Sequence, residues 1–384
     1  MDGKVRTALI GVGVMGKKYA EMIAAGKAAN MSLAAVVVRR RELREWAESL
    51  VNTDGERPEI YEDADALFEH PEGYDAVLIV TPHKTHPELA RRAFELGKHV
   101  MCDKPAGVSI GQALQMTADS EKADRIYGMM FHQRMYPKYQ KIKEILESGE
   151  LGTLGRIMLV NSRYFRTHSY HRSGSWRSSW NGEGGGALIN QGAHILDIWQ
   201  WLFGMPESVY ADIPFGKYND FRVDDEATVQ MRYPGNVTAV FMLTTGEAVW
   251  EERLEIVGSK GKLLLEDDTL HIKRYSSDSV EYMKTQQVTS RENMEIIEEI
   301  IEFKKTEEPY PQMLHNFAEA VLRGDASILA ASGSSAVNQL MLTNAAYYSA
   351  WKGQQISLPL DVATYETALQ EQCRKESEGS NGRD

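Results

Sequence analysis

Along the first third of the chain, short apolar runs alternate with longer stretches whose apolar residues recur at helical spacing. The runs Arg6–Ile10, Leu33–Val38, Ala76–Val80, His99–Cys102 and Arg125–Met130 are strand-length, each followed by a glycine, a proline or a polar break. Helical stretches such as Pro87–Leu96, closed by Gly97, fill the intervals. This alternation predicts parallel strands joined by crossover helices, a doubly wound α/β domain over residues 1–130. After Pro137 the pattern changes: one helical stretch, Lys138–Glu147, gives way to the strand-like runs Arg156–Phe165, Ala227–Tyr233, Val237–Thr245, Leu254–Val257 and Lys262–Leu265. Strands in succession predict a second, sheet-containing α/β domain over residues 131–373. Two late helices, Met313–Leu322 and Ser335–Trp351, are expected to cover one face of that second sheet, with Leu314, Phe317, Ala318 and Val321 as its core stripe. Residues 374–384 are polar and glycine-containing, and are expected to form a flexible tail.

With 384 residues, 42% hydrophobic and 26% charged, the chain can bury a large core and is long enough for two domains. A formal net charge of −12 argues against nucleic acid as a partner. The polar start offers no signal-peptide pattern, and no apolar run approaches the roughly 20 residues that span a bilayer. A cytoplasmic protein with no membrane association is the expectation. Cys102 and Cys373 lie far apart in sequence, which fits a reducing compartment better than a disulfide framework. Neither shows metal-ligand spacing, and no metal is expected.

Candidate chemistry begins at the first strand. Ala8-Leu9-Ile10 runs into Gly11-Val12-Gly13-Val14-Met15-Gly16 and then a helical stretch, a GxGxxG at a strand-to-helix turn. Gly11 permits the tight turn, Gly13 lets the backbone approach a pyrophosphate, and Gly16 lets helix and strand pack closely. The helix N-terminus then faces the phosphates, so Gly11, Gly13, Val14, Met15 and Gly16 are candidate dinucleotide ligands. The second strand ends in Arg39-Arg40-Arg41 rather than in a carboxylate for the adenosine ribose. Guanidinium groups suit a 2′-phosphate, which favours NADP through Arg39 and Arg40. The plainer reading of these arginines as a solvated helix start leaves NAD open.

Two further stretches carry polar chemistry. Asp103-Lys104-Pro105 follows a predicted parallel strand, at the end where doubly wound sheets bind ligands. Lys104 is placed there to hold a substrate hydroxyl or the nicotinamide ribose, and Pro105 to stiffen the turn, as a cis peptide. In Gly184–Trp199, Asn190, His194 and Asp197 are spaced i, i+4, i+7 and share one face of a predicted helix. A neutral imidazole at His194 is suited to take a hydroxyl proton; Asn190 suits a substrate hydroxyl, and Asp197 suits orienting the ring. Read alone, without Lys104 and the glycine turn, His194 is more readily a satisfied core histidine. Upstream, Tyr164, Trp176 and Arg177 lie in a loop rich in aromatics, hydroxyls and guanidinium groups, a mixture that fits a polyhydroxylated ring.

These motifs, in this order, resemble the Gfo/Idh/MocA family of oxidoreductases over nearly the whole chain. The family's glycine fingerprint matches Gly11–Gly16, its Thr-Pro and following histidine match Thr81, Pro82 and His86, and its Glu-Lys-Pro turn resembles Asp103-Lys104-Pro105. Its glycine-rich lead into an Asp-x-Gly-x-His-x-x-Asp helix resembles Gly184 to Asp197. The resemblance implies an N-terminal Rossmann domain and a C-terminal α/β domain whose large, open, mainly antiparallel mixed sheet serves substrate binding and oligomerisation. It implies Lys104 and His194 as the catalytic pair, with Thr81, Pro82, His86, Asp103 and Gln133 beside the cofactor. Asp103 departs from the family's glutamate, and Asn190 from its first aspartate, so Asn190 is no charged partner for His194. Gly174-Ser175-Trp176-Arg177 with Asn190-Gln191 is most similar to the levoglucosan and glycoside 3-dehydrogenase branch.

The function expected is hydride transfer between NAD or NADP and a secondary hydroxyl on a sugar, glycoside or cyclitol ring, in a homodimer or homotetramer. Two alternatives stay open: a redox-neutral enzyme that oxidises, eliminates or hydrolyses and then re-reduces on retained NAD, and a non-catalytic cofactor-binding sugar sensor.

Overall fold

In the computed structural model, which describes residues 3–380, the apolar runs of the N-terminal third form six strands: β1 (Val5–Ile10), β2 (Met31–Val37), β3 (Glu59–Tyr61), β4 (Ala76–Ile79), β5 (His99–Cys102) and β6 (Tyr127–Met129). They pair in parallel in the order β3-β2-β1-β4-β5-β6. Continuous runs such as Ala76–Ile79 are buried at every position, as a parallel sheet covered on both faces demands. The order reverses between β1 and β4, so the crevice beyond their C-terminal ends is the switch point where such sheets take ligands. The three residues of β3 carry too little apolar signal to be foreseen.

The helix Tyr310–Arg323 corrects one expectation. Leu314, Phe317 and Ala318 of its stripe are buried together with Met313, while Val321 is half-exposed, and the helix packs against β1, β2 and the helix Val14–Ala24 rather than on the second sheet. Periodicity identifies the buried face of a helix and not the sheet that buries it. The chain accordingly divides into two compact units whose boundaries differ from a single cut near residue 130. One comprises the residues to Met135 with Gly182–Gly184 and Glu308–Leu340, and the other comprises Tyr136–Asn181, Gly185–Glu307 and the residues from Met341 on.

The second unit holds a nine-stranded mixed sheet. Its strands are β7 (Leu154–Asn161), β8 (Ser208–Asp212), β9 (Glu226–Tyr233), β10 (Val237–Thr244), β11 (Glu252–Gly258), β12 (Gly261–Glu266), β13 (Thr269–Tyr275), β14 (Ile296–Glu302) and β15 (Ile356–Ser357), in the order β14-β13-β12-β11-β7-β10-β9-β8-β15. Only β7 and β10 pair in parallel. Alternate residues Ile157, Leu159, Ala239, Phe241, Leu254 and Ile256 are buried, while Met158, Val160, Val240 and Met242 on the opposite face stay half-exposed. The helix Gly192–Phe203 packs within this unit, with Trp199 edge-on to Phe241 and its indole N–H donating to Tyr233 Oη at 2.8 Å. The helix Pro137–Ser148 is tied to β11 by a buried group of charges: Lys138 Nζ lies 3.1 Å from Glu252 Oε2, and Tyr139 donates to the same carboxylate.

The flexible tail expected from Arg374 is instead helical through Ser380, as part of the helix Val362–Ser380; the expected tail's last four positions lie outside the described residues. Its polar composition does not leave it without contacts. Tyr365 stacks on Trp351, and the Glu376 carboxylate accepts hydrogen bonds from the backbone N–H groups of Trp180 and Asn181 at 3.0 and 2.9 Å.

Candidate functional site

In the first unit the glycine turn sits between β1 and the helix Val14–Ala24. Gly11 has φ +107°, and a methyl group there would lie 2.5 Å from Val80 O; one at Gly16 would lie 1.9 Å from Gly11 O. Both positions therefore require glycine for the turn itself. A methyl group at Gly13 would meet nothing within 4 Å, so what Gly13 keeps clear is space outside the protein. Val14 beside it is 87% exposed at the first turn of the helix, and Met15 is half-buried. An open glycine at a helix N-terminus beyond the switch point fits a dinucleotide pyrophosphate.

Arg39 and Arg40 are both exposed at the end of β2. Arg40 Nη2 donates to Val12 O at 3.1 Å, which brings this guanidinium to the glycine turn. The carboxylate that would mark a ribose diol is missing at this strand end, and Arg40 occupies its surroundings.

Thr81 and Pro82 follow β4. His86 is fully buried, with Nδ1 2.8 Å from Pro105 O and Nε2 2.6 Å from Thr81 O. Rather than facing a ligand, the ring braces the Thr-Pro turn against the Lys-Pro turn. Burial pushes its pKa below the usual imidazole range, against the two carbonyls that pull it up, and the neutral ring has one N–H, so it donates to only one of them. The Lys104-Pro105 peptide is cis. Asp103 Oδ1 accepts from the Lys104 backbone N–H at 2.9 Å, and burial raises its carboxyl to about 6, against the opposing pull of the Lys104 charge. Gln133 is buried in a short turn of helix at His132–Met135.

In the second unit the glycine-rich lead has a structural purpose. A methyl group at Gly185 would lie 2.3 Å from the Tyr347 hydroxyl, and one at Gly186 would lie 2.0 Å from Asp224 O. The buried Asp224 carboxylate accepts from Gly186 N at 2.8 Å, Leu188 N at 2.6 Å and Tyr347 Oη at 2.6 Å, and so caps the first turn of the helix that starts at Ala187. Burial raises Asp224 to about 6 in spite of these bonds. The helix runs as Ala187–Asn190 and Gly192–Phe203, joined through Gln191, whose backbone stays in the α region. The i, i+4, i+7 spacing of Asn190, His194 and Asp197 is therefore kept. Asp197 is fully buried and accepts from Gln200 Nε2 at 2.9 Å. From Glu183 to Gln200 every residue is buried except His194, which is half-exposed.

The loop after β7 converges on a residue that sequence reasoning does not single out. Tyr170 Oη accepts from Arg177 Nη1 at 2.8 Å, Gln191 Nε2 at 2.9 Å and Asn190 Nδ2 at 3.3 Å. The Arg177 guanidinium also lies against Trp176, and Arg166 against Tyr164 and Tyr170. Tyr164, Trp176, Arg177 and Asn190 thus belong to one polar and aromatic cluster centred on Tyr170. Its signal in the sequence is faint: an aromatic spaced seven residues before Arg177. For Asp224 the signal is the acidic triplet Asp224-Asp225-Glu226 entering an apolar strand. Lys104 belongs to the first unit and His194 to the second.

Comparison with known proteins agrees with this architecture. Residues 5–131 match the oxidoreductase family with an NAD-binding Rossmann fold, and residues 139–264 match the GFO/IDH/MocA C-terminal domain. The trans-1,2-dihydrobenzene-1,2-diol dehydrogenase of Bos taurus is 26% identical over 213 residues, 55% of this chain and 60% of that enzyme, so the match spans less than two thirds of that relative's length. The myo-inositol 2-dehydrogenase of Thermotoga maritima is 27% identical over 282 residues, 68% of this chain and 75% of that enzyme. Levoglucosan dehydrogenase in complex with NADH superposes with a TM-score of 0.78 at 19% identity, covering 93% of this chain and all of that one, a likeness of fold.

Proposed function

The chain belongs to the Gfo/Idh/MocA family of NAD-binding oxidoreductases, and from that premise we propose that it reversibly oxidises a secondary hydroxyl on a sugar, glycoside or cyclitol ring. The observation that carries this reading is the exposure of His194 alone in an otherwise buried stretch. An imidazole presented in this way serves as general base for a substrate hydroxyl. Lys104 at the end of β5 is proposed to hold the substrate hydroxyl and the cofactor, with Asp103 fixing the lysine backbone. Asn190 and Arg177 hold neighbouring hydroxyls, Tyr164 and Trp176 pack on the C–H face of the ring, and Asp197 supports the helix from within. The nicotinamide, when bound, supplies the hydride acceptor. Gly11, Gly13, Val14, Met15 and Gly16 hold its pyrophosphate, Thr81, Pro82 and Gln133 lie on its path, and Arg39 and Arg40 favour the 2′-phosphate of NADP. The half-exposed face of the nine-stranded sheet is the proposed contact of a homodimer or homotetramer.

The test is the absorbance at 340 nm when purified protein meets glucosides, anhydrosugars and inositols, each with NAD and with NADP. A rise with one ring class, faster with NADP, is the expected outcome. A protein that binds cofactor and gives no rise with any of them refutes the proposal of net oxidation.

A further inference from the structure

We propose that Tyr170 is a positioning residue of the substrate site, whose phenol oxygen fixes the Arg177 and Asn190 side chains in the orientation that receives the ring. The inference rests on the dehydrogenase reading for what those two side chains hold and adds what holds them.

Tyr170 stands in the short helix His168–His171 of the loop after β7. Its Oη accepts from Arg177 Nη1 of the same loop, and from Gln191 Nε2 and Asn190 Nδ2 on the helix that carries His194. Those two amides belong to the last residue of Ala187–Asn190 and to the residue that joins it to Gly192–Phe203. The phenol therefore grips the helix at its joint, one turn before His194. Asn190 shares a face with His194, so the direction of its amide sets which oxygen of a ring it can meet while another lies at the imidazole. The acceptor is itself held in place. Arg166 and Arg177 lie 4.3 and 4.6 Å from the centre of the Tyr170 ring, and the His171 ring meets it edge-on at 5.4 Å. His171 Nδ1 lies 2.6 Å from Ser178 Oγ, next to Arg177, and its ring packs 4.9 Å from Phe221, which ties the loop to the segment before β9. An arginine side chain has far more torsional freedom than a tyrosine ring, so a fixed phenol oxygen removes part of that freedom before the substrate arrives. Phenylalanine at this position keeps the ring and its cation contacts and deletes only the acceptor that Arg177 and Asn190 share.

The experiment compares wild type with Y170F as full-length proteins. Each is saturated with NADH or NADPH, whichever binds tighter, and titrated in a calorimeter with methyl glucoside, methyl galactoside and myo-inositol; the absorbance at 340 nm is then followed with the same three rings and the matching oxidised cofactor. Expected in Y170F is a KM at least about tenfold higher for the preferred ring, with kcat within about threefold, and an unchanged affinity for reduced cofactor. Because Tyr170 acts through Asn190, its removal should cost at most about twofold in KM once N190A is present, whereas a general loss of packing would add to N190A in full. Should Y170F not fold, Y170F/Q191L, which removes the acceptor together with a donor, is compared with Q191L. A KM in the folded variant within about twofold of its reference, or effects of Y170F and N190A that multiply, overturns the proposal. A ring oxidised with equal constants by both proteins overturns the role of Tyr170 and leaves the dehydrogenase reading standing. Ring binding that weakens about tenfold in Y170F, with no reduced cofactor formed by wild type, does the reverse. Wild type that neither binds nor oxidises any of the three rings overturns both.

Discussion

Gly13 and Gly16 are separated by one turn of chain and by opposite physical constraints. Alanine at Gly16 forces a methyl group into the Gly11 carbonyl, so G16A should lose both NADH binding and fold stability. Alanine at Gly13 meets no protein atom and keeps an allowed backbone, φ −91° and ψ −161°. G13A should melt within about 0.5 kcal/mol of wild type yet bind NADH about tenfold more weakly or worse, as read by thermal denaturation and NADH fluorescence. Equal affinity would mean that the pyrophosphate does not pass over Gly13. At His194, H194A should lower kcat by about 10²–10⁴, and activity at the wild-type level would remove it as the base. The glycines and His194 are legible in the sequence because backbone geometry and helical spacing leave a mark in residue order. Tyr170 is not, because its importance lies in donors that come from two other points of the chain, Arg177 and the pair Asn190-Gln191. His86 is legible as a position and not as a role, since only the structure reveals that both ring nitrogens face backbone carbonyls.

At the scale of elements, the helix bearing His194 begins on a buried carboxylate. Burial raises Asp224 from 3.8 to about 6, so between those values the folded chain keeps a proton that the unfolded chain has released. Stability from this group therefore falls as pH rises through that window, by about 3 kcal/mol in all. Asn at this position does not titrate. The stability advantage of wild type over D224N should accordingly shrink between about pH 4 and about pH 7 when both are unfolded with urea, and an advantage that is constant or grows would contradict the assignment. The C-terminal helix adds a second support. Glu376 receives two backbone N–H groups at the end of the arginine-rich loop, and a glutamine there can accept at only one oxygen. E376Q should raise KM for the turned-over sugar about threefold or more while kcat stays within about twofold. Composition hides this support: a polar C-terminal sequence reads as loose chain until the acceptors and donors it pairs are seen. The same limit applies to Tyr310–Arg323, whose apolar stripe is evident and whose partner sheet is not.

For the whole molecule, the two-sheet α/β plan follows from the change of pattern after Pro137, because parallel and mainly antiparallel sheets demand different spacings of apolar residues. The unit boundaries do not, since Glu308–Leu340 returns to the first unit through contacts that no local pattern encodes. The nine-stranded sheet keeps Met158, Val160, Val240 and Met242 half-exposed on one face, side by side on the neighbouring strands β7 and β10. Light scattering on wild type should give the mass of a dimer or tetramer, and V240E should lower it; a wild-type monomer would count against self-association through this face. The central claim is that a ring carbon of the substrate gives its hydride to nicotinamide. It is tested most directly with a sugar that the enzyme oxidises, deuterated at the carbon that loses hydrogen, followed by mass spectrometry of the cofactor. One deuterium in the reduced nicotinamide is the predicted result; label released to water, with unlabelled cofactor, would contradict it.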